Sequence, residues 1–326
     1  MMGRMIKPAL FFLAVSAAAP PALSAPALSP SILSPSILSP SVLPPAAGSA
    51  SPEITTQALG VGQLKEAAAA FHRGDFVQAA HIASNEGSAA GFAFAARALL
   101  IHGDLIAPAG KKLSVFERAA AFARVAVSLK PELDEGHLQL AVALGMIGRQ
   151  EGNLMAHMAG YGNEARAHLD LVLERRPGNV WANALLGGWH LEIAHEGGML
   201  GTALYSADAE QGLALYRRAL SLDPTNQLIA YQFALQLLLM GEANRAEALT
   251  ALTIARAYPA NGAMGLMMKK RADQLYQTIE TGREGDIVAM VDWYTGRAPE
   301  QPPEQGASGQ RAIPRHDIRP SIGSPR

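Results

Sequence analysis

The chain of 326 residues contains no cysteine. This absence excludes disulfide bonds, thiolate metal sites, a catalytic thiol and lipid attachment through an N-terminal cysteine. Charged residues make up only 17% of the sequence and aromatic residues only 6%, with a formal net charge of −1. Because no basic excess exists to neutralise phosphates, nucleic acid is disfavoured as a partner.

What the sequence does contain is apolar and favours helix. Hydrophobic residues account for 49% of the chain, enough to bury a substantial core. Alanine and leucine dominate, and both are strong helix formers. An all-α protein is therefore predicted.

The N-terminus has the pattern of a secretory signal peptide. Arg4 and Lys7 precede an apolar run over residues 8–19, and small residues follow up to Ala25. The run is shorter than the roughly 18–20 residues that a membrane span needs. We predict a signal peptide at 1–25, export to the periplasm in a bacterium, and no stable membrane span after cleavage. The alternatives are an uncleaved anchor in the inner membrane or a wrongly assigned start.

Residues 26–59 are rich in proline and serine. A five-residue period is visible in SPSIL, SPSIL, SPSVL, and proline at every fifth position blocks helix and central strand. We predict a disordered linker that serves as a spacer or docking strip, or else a drifting low-complexity repeat.

Four prolines that end predicted helices divide the remainder of the chain. They are Pro131, Pro177, Pro224 and Pro259, at spacings of 46, 47 and 35 residues. A tetratricopeptide repeat (TPR) has 34 residues in two helices, A and B. The spacing predicts a TPR-like right-handed helical solenoid of about five helix pairs over 60–282, including a capping helix over 263–280. A short helix and a disordered tail are predicted for 283–326.

Small residues fix the register within each repeat. In the middle of helix A they fall on Ala141, Gly187 and Ala234. On the packed face of helix B they fall on Ala119, Ala165, Gly212 and Ala246, with Tyr216 and Ala219 on the same face as Gly212. Both halves of each long repeat keep this register. The extra residues must therefore lie in the A-to-B turns, at about 147–157 and 194–206, and stacked repeats should place these two insertions side by side.

One part of the chain resembles known families. The runs GNEARAHLDLVLERRPGNVWANALLGGWHLEIAHE and GLALYRRALSLDPTNQLIAYQFALQLLLMGE resemble bacterial relatives of the regulator of microtubule dynamics family, and also the T component associated with TRAP-type solute transporters. The positions that match are Trp181, Leu186, Gly187, Trp189, Glu192 and Ala219. The resemblance implies a TPR-like helical protein with a non-enzymatic binding role. Transporter-associated members are typically lipoproteins, and this chain lacks the cysteine for acylation.

No motif for catalysis, a cofactor or a metal is evident. His190 and His195 are five residues apart, roughly 140° around a helix, so they cannot converge as the two histidines of a zinc helix do. The glycines of residues 197–201 lack the lysine and the preceding strand of a phosphate-binding loop. No G-x-S-x-G nucleophile motif is present.

TPR solenoids bind ligands on the concave face, which helix A lines. The predicted groove residues are mostly apolar: Leu138, Val142, Met146, Trp181, Glu192, Leu228, Tyr231 and Leu235. Such a groove either receives a hydrophobic peptide, helix or small apolar ligand, or is filled internally. The internal candidates are the second insertion, through Met199, Leu200, Leu204 and Tyr205, or the C-terminal helix.

The resulting prediction is an exported, non-enzymatic scaffold that binds a protein or peptide partner through the groove and the adjacent insertions. The alternative is an accessory protein of a solute transporter that binds a small apolar ligand. A homo-oligomer is compatible with either function.

Overall fold

The computed structural model describes residues 63–257 and 261–297. The predicted signal peptide, the Pro/Ser-rich linker, Pro259 and the predicted tail from residue 298 lie outside the described residues. No helix in the described part of the chain is both long and apolar enough to cross a membrane.

The described part of the chain is an all-α structure and contains no strand. Thirteen α-helices follow one another: α1 Gln63–Arg73, α2 Phe76–Asn85, α3 Ala89–Leu105, α4 Ala109–Leu129, α5 Asp134–Glu151, α6 Asn153–Met158, α7 Tyr161–Arg175, α8 Val180–Tyr205, α9 Ala209–Leu222, α10 Gln227–Leu239, α11 Arg245–Ala257, α12 Gly262–Thr281 and α13 Glu284–Tyr294. A short 3-10 helix, Glu242–Asn244, precedes α11.

Local sequence signals account for the helix ends. Pro131, Pro177 and Pro224 are each the second residue after the end of α4, α7 and α9. Proline ends a helix because it lacks the backbone N–H and its ring clashes with the preceding turn. Several helices begin with a side chain that accepts a hydrogen bond from the first turn, which stabilises a helix start by about 1 kcal/mol. These N-cap residues are Ser88, Asn179, Asp208 and Asn226.

The helices pack mainly on their neighbours in the chain. The most extensive contacts join α3 to α4, α8 to α9 and α10 to α11, followed by α2 to α3, α4 to α5, α5 to α7 and α1 to α2. A second set of contacts joins α3 to α5, α5 to α8 and α8 to α10. In addition α12 contacts α1, so a helix near the end of the described chain lies against the first one.

The small residues of the predicted register are buried in every helix that carries them except α11. Seven of the predicted small residues and Tyr216 are buried: Ala119, Ala141, Ala165, Gly187, Gly212, Tyr216, Ala219 and Ala234. The prediction is wrong at Ala246, which is exposed, whereas Ala248 is fully buried. The 3-10 helix before α11 winds with three residues per turn, so a register counted forward from Gly241 arrives too early.

Gly187 and Gly212 show why small residues are needed at these positions. A Cβ on Gly187 would lie 2.8 Å from the carbonyl oxygen of Gly212, and one on Gly212 would lie 3.0 Å from the carbonyl oxygen of Gly187. The backbones of α8 and α9 therefore approach too closely for any side chain at either position.

Candidate functional site

The first candidate surface is formed by the two insertions. The first contains α6, and the second is the final part of α8, which bends at Gly198 (φ +52°, ψ −147°), a conformation that only glycine adopts readily. His157 Nδ1 and the hydroxyl of Tyr205 lie 2.7 Å apart. The prediction that the two insertions lie side by side is thus confirmed.

Contacts with α7 fix the second insertion in place. The guanidinium of Arg166 donates to the carbonyl oxygen of Tyr205 at 3.3 Å and lies over the ring of Trp189, 4.8 Å from its centroid. Trp189 Nε1–H donates to the carbonyl oxygen of Gly162 at 2.8 Å. The position of the insertion is therefore set by hydrogen bonds and ring contacts and does not depend on burial of its leucines and methionines.

The leucines and methionines of both insertions are exposed. We call them the insertion patch: Leu154, Met155, Met158, Met199, Leu200 and Leu204. Met199 is 91% exposed and Leu200 79% exposed, and no residue of α6 is buried. The idea that Met199, Leu200 and Leu204 fill the groove is therefore wrong, since these side chains lie at the surface.

The second candidate surface is the predicted groove wall, which we call the α8–α10 face and define by Trp181, Glu192, Leu228, Tyr231 and Leu235. Tyr231 and Leu235 are fully buried. Trp181, Glu192 and Leu228 are half-buried. Farther along, on α5, Leu138 is buried while Val142 and Met146 are half-buried. Of the two alternatives, an open or an internally filled groove, the burial of Leu138, Tyr231 and Leu235 favours the filled one at these positions.

Helix α13 covers the α10 part of this face. The rings of Tyr231 and Tyr294 meet edge to face with centroids 6.3 Å apart. Ile287, Met290 and Val291 of α13 belong to the same buried apolar cluster as Leu235. Tyr294 donates from its hydroxyl to Gln274 Oε1 on α12 at 2.8 Å, and burial raises its pKa to about 12, so it keeps this proton at neutral pH.

A cluster of charges lies beside the covered region. Arg297, three residues after α13, donates from Nη2 to Glu192 Oε1 and from Nε to Glu196 Oε1, both at 2.6 Å. Arg149 of α5 donates from Nε to the same Glu192 oxygen at 3.2 Å. These ion pairs connect α5, α8 and the segment after α13.

The electrostatics of Glu192 follow from these partners. Burial raises its pKa, but the charges of Arg149 and Arg297, with hydrogen bonds from Arg297 and Gln236, outweigh burial and lower the pKa to about 2. Several buried polar atoms in this region nevertheless have no hydrogen-bond partner: Trp181 Nε1, Glu192 Oε2, Gln236 Oε1 and Arg297 Nη1.

Sequence reasoning identified Glu192 and Trp181 here but missed Arg149, Gln236 and Arg297. One signal was available. Glu192 is a charge on an otherwise apolar helix face, and a buried carboxylate needs a cation or several donors near it. The pattern could not say which of the 27 lysines and arginines supplies that cation.

A cavity of about 200 Å³ lies next to this cluster, between α10 and α13. Leu238 and Leu239 line one side, and Ile287, Val288 and Val291 line the other. Glu242, Arg245 and Glu284 contribute polar groups, and Arg245 pairs with both glutamates. The cavity is thus mainly apolar with a charged rim.

The histidines do not form a metal site among the described residues. His190 is fully buried and accepts a hydrogen bond at Nδ1 from the backbone of Asp208, while His195 is exposed. The described part of the chain has no group of three or more His, Asp or Glu side chains that could hold a metal ion.

No protein-family model matches the chain, and no curated protein matches it significantly in sequence. Any functional conclusion therefore depends on the two surfaces described above.

Proposed function

We propose that the chain forms a TPR-like right-handed solenoid of five helix pairs. The pairs are α1–α2, α3–α4, α5–α7, α8–α9 and α10–α11, and α12 caps the last of them. The contacts within each pair, and those between α3, α5, α8 and α10, support this arrangement. The two insertions then lie on one edge of the solenoid.

Within this architecture we propose a non-enzymatic scaffold that binds a partner protein through the insertion patch. The observation that carries the proposal is the exposure of six large apolar side chains on two adjacent helical insertions. Exposed apolar patches of this kind commonly mark interaction sites, and methionine adapts its shape to different partners. The proposed partner presents an apolar or amphipathic segment. Export to the periplasm is the proposed setting, on the basis of residues 1–25.

Site-specific photo-crosslinking in cells tests this function. A photoreactive phenylalanine analogue at Met199 should give a discrete protein adduct, whereas the same analogue at Leu266, a 61% exposed residue on α12, should not. Adding Leu204→Ser and Met158→Ser should abolish the adduct, because both remove apolar area from the patch. An adduct between two copies would identify the chain itself as the partner. Equal labelling at Met199 and Leu266, or none at Met199, would contradict the proposal.

A second candidate function is that of a small-molecule binding accessory, as the resemblance to the transporter component implies. The cavity of about 200 Å³ between α10 and α13 favours it, since its volume suits a small apolar ligand with one polar group near Arg245. Native mass spectrometry of the purified full chain should then show a bound species that Leu239→Trp removes. If the purified chain carries no bound species and its melting temperature does not change on addition of short fatty acids, this candidate is contradicted.

A further inference from the structure

Helix α13 has the features of a ligand helix. Its buried residues are Ile287, Met290, Val291 and Tyr294, which lie at i, i+3, i+4 and i+7 and so form one apolar stripe. Val288, outside this stripe, is 50% exposed. This spacing of anchors is the one by which amphipathic helices bind in hydrophobic grooves.

The α8–α10 face recognises both parts of this segment. The ring of Tyr231 meets that of Tyr294, and Leu235 lies in the same buried cluster as the apolar stripe. The carboxylates of Glu192 and of the neighbouring Glu196 accept hydrogen bonds from Arg297, beyond the end of the helix. The apolar residues therefore lie opposite the apolar stripe of α13, and the acidic pair lies opposite the arginine that follows this helix.

The acidic pair favours arginine over other residues. Arg297 spans two separate carboxylates with Nε and Nη2, which a planar guanidinium can do and a single ammonium group cannot do with the same geometry. Arg149 supplies only one positive charge against Glu192 and Glu196, so the site is net acidic until a second cation arrives. Glu192 Oε2 and Gln236 Oε1 remain as further acceptors.

The fit of α13 to this face is incomplete. The cavity of about 200 Å³ lies at their boundary, against Ile287, Val288 and Val291. Because the apolar side chains on its wall lack packing partners there, a helix with bulkier side chains at these positions would bind the same face more tightly. A segment of eleven residues is also too short to be a stable helix on its own.

From these observations we infer that the α8–α10 face is a receptor site for an amphipathic helix that is followed by an arginine, and that α13 is its exchangeable internal occupant. The partner has apolar anchors at i, i+3, i+4 and i+7, with larger residues than α13 at the cavity, and an arginine three residues after the last anchor. This site is separate from the insertion patch, so each can fail without the other.

The test uses the full chain and a fluorescent synthetic peptide with the sequence of residues 283–297, followed by fluorescence anisotropy. The unaltered chain should bind the peptide weakly, because its own α13 is present at a high effective concentration. Arg297→Glu in the chain places a third carboxylate beside Glu192 and Glu196 and should weaken the internal helix. This variant should bind the peptide at least tenfold more tightly. Lys270→Glu, the same charge change at an exposed residue of α12, should not.

Two altered peptides test the recognition itself. Replacing the final arginine by glutamate should reduce binding to the Arg297→Glu chain at least tenfold, whereas replacing the residue equivalent to Val291 by leucine should strengthen binding.

If the Arg297→Glu chain is folded by circular dichroism but binds the peptide no better than the unaltered chain does, the inference is overturned. Hydrogen exchange gives a second measurement that does not depend on the peptide. In the milder Glu196→Gln variant, α13 should exchange faster while α10 stays protected; equal protection of both helices would show that α13 is fixed core.

Discussion

Arg297 and Glu192 are separated by 105 positions in the chain, yet Arg297 Nη2 lies 2.6 Å from Glu192 Oε1. The carboxylate is on α8, the central helix of the chain, and the guanidinium follows the last described helix. Both side chains are mostly shielded, with 15% of Arg297 and 24% of Glu192 exposed to solvent. This pair, with Glu196, joins the segment that follows α13 to α8.

The coupling between Arg297 and Glu196 should be measurable by a double-mutant cycle. We expect Arg297→Gln and Glu196→Gln to show a coupling free energy of about 1–2 kcal/mol in urea unfolding, because Arg297, only 15% exposed, donates a hydrogen bond to Glu196, which is 34% exposed. The comparison pair is Arg217 and Glu247, which also joins two helices but exposes 53% and 35% of its side chains. Its coupling should be smaller, below about 1 kcal/mol, and should fall further in 1 M salt. Equal couplings would argue against a special role for Arg297.

Glu192 should make the protein sensitive to acid. Its pKa falls from 4.5 to about 2 on folding, so the unfolded chain binds a proton more readily than the folded one. The stability that this group contributes is complete above pH 4.5 and is lost as the pH falls towards 2. Thermal unfolding followed between pH 6 and pH 2 should therefore show a steeper loss in the unaltered protein than in Glu192→Gln. Parallel curves for the two proteins would contradict the assignment.

The close contact of α8 and α9 should not tolerate an added methyl group. Gly187→Ala places Cβ 2.8 Å from the carbonyl oxygen of Gly212, against rigid backbone, and should reduce the free energy of unfolding by about 1–3 kcal/mol. Gly145→Ala is the matched control, since Gly145 is exposed within α5 and a Cβ there meets nothing within 4 Å. That variant should be stabilised by about 0.5–1 kcal/mol, because alanine loses less backbone entropy. Chemical denaturation measures both, and a stable Gly187→Ala protein would refute the close approach.

The histidine pair of α5 and α7 should give a second acid transition at higher pH. His137 Nδ1 and His168 Nδ1 lie 2.8 Å apart, and His137 Nε2 donates to the carbonyl oxygen of Pro131 at 2.7 Å. The proton between the two rings must then be carried by His168, which is the donor. Burial is the main cause that lowers the pKa of His168; repulsion from the neighbouring His137 and Arg124 acts in the same direction, and Glu164 acts in the opposite one.

Because the folded pKa lies below 6.5, the unfolded chain takes up the proton first, and stability decreases as the pH falls below about 6.5. His168→Gln retains a donor without this charge and should flatten the stability curve between pH 7 and pH 5. Nuclear magnetic resonance titration of the ring protons provides the direct check, and a His168 pKa at or above 6.5 would contradict the prediction.

Features that depend on neighbouring residues were predicted well. Pro131, Pro177 and Pro224 end helices because of a local steric conflict, and Gly187 and Gly212 permit close packing because they have no side chain. These effects follow from the type of a single residue and the period of the helix, so counting positions was enough to predict the small-residue positions and the adjacency of the insertions. The register failed at Ala246 of α11, because the three residues before this helix, Glu242–Asn244, form a 3-10 helix that has no distinctive sequence signal.

The sequence alone determined that this chain is helical, where most helices end, and which small residues lie between them, because these properties follow from local stereochemistry and the period of the helix. Only the tertiary structure decided that α13 covers Tyr231 and Leu235, that Arg297 and Arg149 neutralise Glu192, and that the insertion patch faces solvent. Many apolar segments and cations could occupy the same surface. Which of them does so depends on shape and on distances between residues up to 105 positions apart in the chain.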